Sequence, residues 1–465
     1  MKHFILLIAG LLALTFFVAA YFDPVQNPVG LGSDGYEYWH LSTSILKNHQ
    51  FSYVDPRVYP VLKLKPLLPM GLVPKTIPCT TRVPGYPMVL ALARHAWDSP
   101  WAAIIINYLC FIGICIYGYL LGNLFLPDPR WRWIYSVLLT FSPLYFTRWG
   151  MGSEFCAGFL ATAFTYHAVN IVSGSRRYLL WTIILAVLGC LTRSNLIAYT
   201  YPLLILGLLF GAMKKDIRAV LNILILLSVV TLSLNLWMVR NQILTGKKEL
   251  STQGGFVLYT VHVDYDHPEK QDPGKDLFIK NLRSGKTFNQ TEAIVDQKLT
   301  AILLAHYRKH PFHLIKKGLD GLRTMFLFSY FDISDAILVA QKPFSQRLAF
   351  VNSSSSEYAG YPTKELPLRQ FLFQISHLYK WALLISFFAF PFIFLAKKGL
   401  AAPFSQTVIL VYVPTLTGLL LTALCTGAAG DRMRLPFNAF LLIFVVLSWM
   451  LLAKQSKNAL KKPWL

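Results

Sequence analysis

Apolar runs long enough to cross a lipid bilayer recur along this chain, and nothing else in it restricts the fold so severely. The first covers residues 4–22. Others fall at 101–122, 133–149, 154–172, 178–192, 195–212, 219–239, 372–396, 406–428 and 435–453, each bounded by charge, Pro or Gly. That makes about ten helices. Composition points the same way: 55% of residues are hydrophobic and 14% charged, which rules out a soluble core of this size. The expected fold class is an all-α polytopic membrane protein. Lys2 and the apolar run after it could mimic a signal peptide, but Asp23-Pro24 offers no small-residue cleavage site, so the first run reads as a retained span.

The formal net charge of +22 is arranged as an orientation signal. Arg130 and Arg132, Arg176 and Arg177, Lys214, Lys215 and Arg218, Lys397 and Lys398, then Lys454, Lys457, Lys461 and Lys462 fall on alternate connections. The excess of basic residues inside places both termini in the cytoplasm. The lysine-rich tail then serves orientation and anionic-lipid contact, not nucleic acid. Cys110, Cys115, Cys156, Cys190 and Cys425 lie in the apolar runs and only Cys79 falls in an outward loop, so no disulfide framework is implied.

Two outward regions, 23–100 and 240–371, are too long to be simple connections. The chain divides accordingly into 1–239, an N-terminal transmembrane catalytic module that includes the loop 23–100; 240–371, an outward loop region with amphipathic helices; and 372–465, the C-terminal helices and basic tail. Within the first loop, which is rich in proline, Tyr36 to Leu46 reads as a short interfacial helix and Pro87 to Trp97 as another interfacial or re-entrant helix. In the second, Asn289 with Glu292 resembles a capping box ahead of Ile294, Val295, Leu299, Ile302 and Leu303, a helix that ends before Pro311. Its apolar stripe is expected to pack on the membrane domain.

Several outward charges run against the orientation rule and need a reason. Arg148 and Glu154 flank one outward turn, Arg193 separates two apolar halves, Arg240 ends the 219–239 span, and Asp431, Arg432 and Arg434 fill the last outward turn. Pairing or snorkelling would account for any one of them. Together with Arg82 they could instead form an anion pocket, because guanidinium matches phosphate oxygens best. A separate constellation, His262, Asp264, Asp266 and His267, could bind a divalent metal if a turn at Pro268 brought His267 round. Asn289-Gln290-Thr291 and Asn352-Ser353-Ser354 match glycosylation acceptors.

Asp34-Gly35-Tyr36 with the helix after it, followed by Arg82-Val83-Pro84-Gly85-Tyr86-Pro87, resembles the opening of membrane glycosyltransferases of the GT-C superfamily, in the branch of protein O-mannosyltransferases and bacterial aminoarabinose transferases. The resemblance continues through Ser142-Pro143, Ser153-Glu154, Leu191-Thr192-Arg193, Val239-Arg240-Asn241 with Gly254-Gly255, and His310-Pro311. It closes on Gly430-Asp431-Arg432-Met433-Arg434-Leu435-Pro436, like the arginine-rich element before that branch's last span.

The resemblance implies a GT-C-like bundle of about ten transmembrane helices with outward-facing interfacial helices and loops. It implies a polyprenyl-phosphate sugar as donor, of the undecaprenyl type, and a glycan, lipid or protein acceptor. Transfer would occur in the cell envelope, on the periplasmic face of the cytoplasmic (inner) membrane, with an acidic residue of the first outward loop at the catalytic centre. Displacing a lipid phosphate from an anomeric carbon calls for deprotonation of the acceptor and for stabilisation of the departing charge. Asp34 is the expected general base, although it would also serve as the cap of the helix that follows. Glu154 is the expected second acid, with pairing to Arg148 as its bland alternative. Glu37, a turn beyond Asp34, could share the site or be solvated.

Arg82, Arg193, Arg240, Arg432 and Arg434 are the donor-phosphate candidates. Tyr36, Tyr86 and Trp39 could stack on sugar, but Tyr and Trp also anchor interfaces. The sequence names no certain cofactor; a divalent metal, Mg or Mn, could take part, yet Gly35 stands where many relatives of the family carry a second acid, which counts against a two-carboxylate metal site at Asp34. A flippase or transporter of lipid-linked saccharide would share the arginines, but would not need large asymmetric outward loops. An O-antigen polymerase or ligase with a diphosphate-linked donor would lack the Asp34 loop followed by Arg-Val-Pro-Gly-Tyr-Pro.

Overall fold

Helices account for nearly all the regular structure of the computed structural model, which describes residues 2–21, 32–53, 76–146, 152–262, 273–327, 367–396, 402–426 and 431–453. In chain order these are α1 (Lys2–Tyr21), α2 (Gly32–Asn48), α3 (Gly85–Ala96), α4 (Trp101–Phe125), α5 (Pro129–Thr140), α6 (Pro143–Phe146), α7 (Glu154–Val172), α8 (Leu179–Thr192), α9 (Ile197–Met213) and α10 (Ile217–Thr245). Then come α11 (Gly254–His262), α12 (Pro273–Arg283), α13 (Phe288–Lys309), α14 (Pro311–Leu327), α15 (Pro367–Ala396), α16 (Ala402–Thr426), a 3₁₀ turn (Asp431–Phe437) and α17 (Asn438–Leu452). Between α2 and α3, the two-residue strands β1 (Ser52–Tyr53) and β2 (Ile77–Pro78) form an antiparallel ribbon with Ser52 opposite Pro78 and Tyr53 opposite Ile77.

The protein is an all-α polytopic membrane protein. Among the described residues seven helical segments are long and apolar enough to cross a membrane: Trp101–Phe125, Glu154–Val172, Ser194–Met213, Ile217–Thr245, Leu378–Ala396, Ser405–Cys425 and Met433–Leu452. The other three expected spans correspond to α1, of 20 residues, and to the shorter α5 and α8. The run 133–149 is not one helix. Pro143 lacks an amide proton and its ring crowds the preceding turn, so α5 stops after 12 residues, about 18 Å of rise, before the four-residue α6. At the other break Arg193 is extended (φ −150°, ψ 113°), which ends α8 and leaves its side chain between two helices.

Helix ends follow local chemistry. Asp128 caps α5 by accepting from the Arg130 amide with Pro129 in the first turn; Asp216 caps α10 by accepting from the Ala219 amide; Gly246 closes α10 at φ 79°. The capping box of α13 lies two residues earlier than the sequence pattern predicts. Thr287 is the cap and Gln290 its reciprocal partner, while Asn289 and Glu292 are buried inside the helix. Both residues instead face the ribbon, where their polar atoms find stronger partners than a solvent-exposed cap would supply.

Two cores result. In the membrane bundle α17 is apolar all round and buried along almost its whole length, as expected of a central helix. A second, smaller core lies outside the bundle, where Leu41 of α2, Tyr53, Ile77 and Cys79 of the ribbon region, Phe278 and Leu282 of α12, and Phe288, Val295 and Leu299 of α13 pack together. We call this second layer the cap. Within the stripe of α13, Val295 and Leu299 pack in the cap core, while the helix also lies against the membrane span α10.

Candidate functional site

At the cap end of the bundle, two arginine–carboxylate centres stand side by side. The first is built by α2 and the loop ahead of α3. Asp34 lies within the first turn of α2, not before it, where the helix dipole favours a carboxylate. Glu37 follows one turn later. Arg82 reaches both: Nη2 donates to Asp34 Oδ1 at 2.7 Å, Nε to Glu37 Oε2 at 2.7 Å, and Nη2 also to Glu37 Oε1 at 3.2 Å. The fork of the guanidinium is thus filled by Glu37, with Asp34 on its outer edge. Glu37 is 4% exposed and Asp34 27%. Burial raises the Glu37 carboxyl above the ordinary carboxylate range, and the charge of Arg82 offsets this only in part.

The second centre sits at the α7 and α8 ends. Arg193 Nη1 is 2.9 Å from Glu154 Oε1 and 3.5 Å from Ser153 Oγ, which accepts from it. Its Nη2 points at the thioether of Met433 in the 3₁₀ turn. Sulfur is a weak acceptor, so one edge of this guanidinium is poorly matched by its present partner. Tyr38 of α2 joins the two centres: the Arg82 guanidinium lies 5.6 Å from its ring, and its hydroxyl shares a 3.5 Å hydrogen bond with Ser153. Tyr86 packs edge-on against Tyr38 at 5.0 Å, fully buried, its hydroxyl without a hydrogen-bond partner among the described residues.

One small residue permits this juxtaposition. A Cβ at Gly85 would come within 2.6 Å of the Leu191 carbonyl oxygen and 2.7 Å of the Thr192 nitrogen. The start of α3 therefore lies directly on the end of α8, which brings Arg82 and Tyr86 beside Arg193. Arg94 supports the arrangement from behind. It is 3% exposed, stacks 3.4 Å from the Trp39 ring centroid, and donates to Trp39 O, Ser42 Oγ, Thr43 Oγ1 and Asp98 Oδ1, so it locks α2 onto α3. Trp39 is occupied by this stacking.

The remaining sequence candidates lie in different surroundings. Arg240 donates to the carbonyl oxygens of Cys79 and Phe51 and stacks 4.8 Å from Trp237, so it braces the ribbon on α10. Arg434 is 2% exposed; it donates to Phe326 O at 3.4 Å and lies 5.5 Å from the Phe326 ring, facing α14. Arg432 is placed by its backbone in the 3₁₀ turn, one residue from Met433. Tyr36 meets His40 edge-on at 4.4 Å and packs against the cap core. Arg148, Asp264, Asp266, His267 and Asn352 lie outside the described residues; His262 is the last residue of α11. Asn289 is buried, its amide donating to Pro78 O and Thr80 Oγ1, which leaves that acceptor motif inaccessible. Its neighbour Glu292 accepts from Thr80 and Thr252 and ties the cap to the ribbon.

Among the described residues no three His, Cys, Asp or Glu side chains come together as a metal site. Asp34 and Glu37 are turned onto a guanidinium, a donor set that does not suit a divalent cation at the same oxygens. Chemically the arrangement offers an accessible carboxylate on one side and a guanidinium with a weakly held edge on the other. Tyr38 and Arg94 carry no motif of their own, Ser153 and Met433 stand in the quoted elements only beside Glu154 and Arg434, and only the i,i+4 spacing of Arg94 and Asp98 hints at a pairing.

No protein-family model matches the chain, and no curated protein matches it. Among solved structures, the archaeal oligosaccharyltransferase AglB from Archaeoglobus fulgidus, in complex with an inhibitory peptide and a dolichol-phosphate, aligns with 96% of this chain and 50% of that one, at 14% identity and a TM-score of 0.45. The apo form of the Archaeoglobus fulgidus oligosaccharyltransferase aligns over the same shares at 13% identity and a TM-score of 0.46. The chain spans about half the length of these neighbours.

Proposed function

We propose that the protein is a GT-C-type glycosyltransferase that moves a sugar from a polyprenyl-phosphate donor, of the undecaprenyl type, to a hydroxyl on a glycan, lipid or protein at the outer face of the cytoplasmic membrane. The observation that carries this reading is the meeting of Asp34–Arg82–Glu37 with Glu154–Arg193 at one end of a membrane bundle. The sequence resemblance supports it independently.

Asp34 is the base. It is the more exposed carboxylate of its centre, held 2.7 Å from Arg82, and it takes the acceptor's hydroxyl proton. The acceptor oxygen then forms a bond to the anomeric carbon. The bond from that carbon to the phosphate oxygen breaks, and its electron pair leaves with the lipid phosphate. Arg193 receives this phosphate, exchanging the Met433 thioether for phosphate oxygen, while Glu154 holds the guanidinium in place. Arg434 lies in the same turn as a further positive charge; Arg240 supports the ribbon. In this reading 1–239 supplies the reacting groups, 240–371 the cap, and 372–465 the turn beside the phosphate.

Purified protein in lipid nanodiscs, incubated with a panel of polyprenyl-phosphate sugars, should release free polyprenyl phosphate in step with glycosylated acceptor. Asp34→Asn should bind donor and release almost none. Movement of the lipid across a vesicle membrane with no sugar transfer would replace this reading with a flippase.

A further inference from the structure

We propose that α14 is a membrane-docking helix, with Phe312, Ile315 and Leu319 inserted into the bilayer and Lys316 and Arg323 at the level of the lipid phosphates. The three apolar residues stand at i, i+3 and i+7 on one face and are 81%, 58% and 61% exposed. No described part of the protein covers this stripe, and leaving it in water would cost about 25 cal/mol for each Å², so it calls for an apolar occupant.

Two features place lipid there. The opposite face of α14 is packed on the end of a membrane span: a Cβ at Gly321 would collide with the Ala423 carbonyl oxygen and one at Gly318 with the Leu424 side chain, close to the end of Ser405–Cys425. The helix therefore lies at the membrane boundary. Around its exposed face the stripe passes first into Arg323 and Lys316 and then into Asp320, all exposed, a gradient from hydrocarbon through phosphate to water. The far end of α14 reaches inward, with Met325 and Phe326 buried and Phe326 holding Arg434. The docked helix thus connects the lipid surface to the turn that carries Met433. This inference does not depend on the proposed reaction.

Nitroxide labels provide the test. Cys425 is exposed and the other five cysteines are buried, so a Cys425→Ser background of the full chain can carry single Phe312→Cys, Ile315→Cys, Leu319→Cys or Asp320→Cys substitutions. In nanodiscs of phosphatidylcholine and phosphatidylglycerol, labels at 312, 315 and 319 should collide with dissolved oxygen more often than with a water-soluble nickel chelate, and the label at 320 the reverse. A chelate preference at all four positions would overturn the proposal. So would immobilised labels shielded from both reagents, which would mean that protein covers the face. A Lys316→Gln, Arg323→Gln pair should make the 312 label's depth insensitive to removal of phosphatidylglycerol; unchanged sensitivity would remove the phosphate contact from the proposal.

Discussion

The two arginine–carboxylate centres differ in charge balance, and that difference separates their chemistry. Among the described residues two carboxylates meet the one guanidinium of Arg82, so this group by itself carries a surplus negative charge, and Asp34 is the more exposed of the two. Around Arg193 one carboxylate opposes one guanidinium, and the remaining edge rests on sulfur. A proton acceptor suits the first environment and an anion the second. Both centres would satisfy a rule that buried charges come in pairs; only their stoichiometry and accessibility tell them apart.

The strongest way to break this comparison is to neutralise the surplus. Asp34→Asn retains the size and the Arg82–Glu37 fork, so folding should be preserved while the transfer rate falls by about 10²–10⁴-fold with donor affinity unchanged. Initial rates of polyprenyl phosphate release, with donor binding measured separately, check this; equal loss of binding would move Asp34 into the donor site. Next in size is Arg193→Ala, expected to weaken donor binding by roughly 10–100-fold, since a charge-assisted contact goes and Glu154 loses its counter-charge. Arg240→Ala should instead lower thermal stability and leave donor affinity close to the parent value. Reversed results for these two arginines would invert the assignment.

What the sequence revealed and what it hid follow from the range of the interactions. Spans such as Trp101–Phe125 and Ile217–Thr245 are legible because hydrocarbon length is a local property of the chain. Asp34, Glu37, Arg82, Glu154 and Arg193 stand out as charges near apolar runs, before any partner is known. Their pairing is not legible: Glu154 was a candidate partner for Arg148, yet a contact with Arg193 arises from the packing of α7 on α8. The contacts of Tyr38, and of Met433 within the arginine-rich element, are hidden for the same reason: both are ordinary apolar-compatible residues whose partners lie 115 and 240 positions away. The capping box failed on purely local competition, because Asn289 and Glu292 gain buried partners on the ribbon that a pattern search does not see.

The separation of the centres can be sharpened by altering the spacing between them. Gly85→Val should push α3 from the Leu191 carbonyl and cost about 1–3 kcal/mol, measured as a lower melting temperature, with transfer impaired because Arg82 and Tyr86 shift together. Tyr38→Phe is gentler. It removes one 3.5 Å hydrogen bond to Ser153 and keeps the ring under Arg82, so a change of only a few-fold in rate is expected, about 1 kcal/mol or less. A loss as large as that of Asp34→Asn would make the Tyr38 hydroxyl a participant in proton transfer and not a spacer.

The smallest effect concerns pH and tests the charge surplus itself. Burial raises the Glu37 carboxyl in the folded protein, so the folded state binds this proton more readily than the unfolded chain. Stability then falls with rising pH, because the unfolded state holds fewer protons over that window. The contribution is fully present below the ordinary carboxylate range and is lost as pH rises through the raised folded value. Glu37→Gln has no proton to lose. Its melting temperature should match the parent at acid pH and exceed it by a few degrees at neutral pH, provided Arg82 keeps Asp34. If the variant were less stable than the parent at neutral pH alone, the attraction of Arg82 would outweigh burial, the surplus charge would be fully compensated, and the two centres would be electrostatic equals.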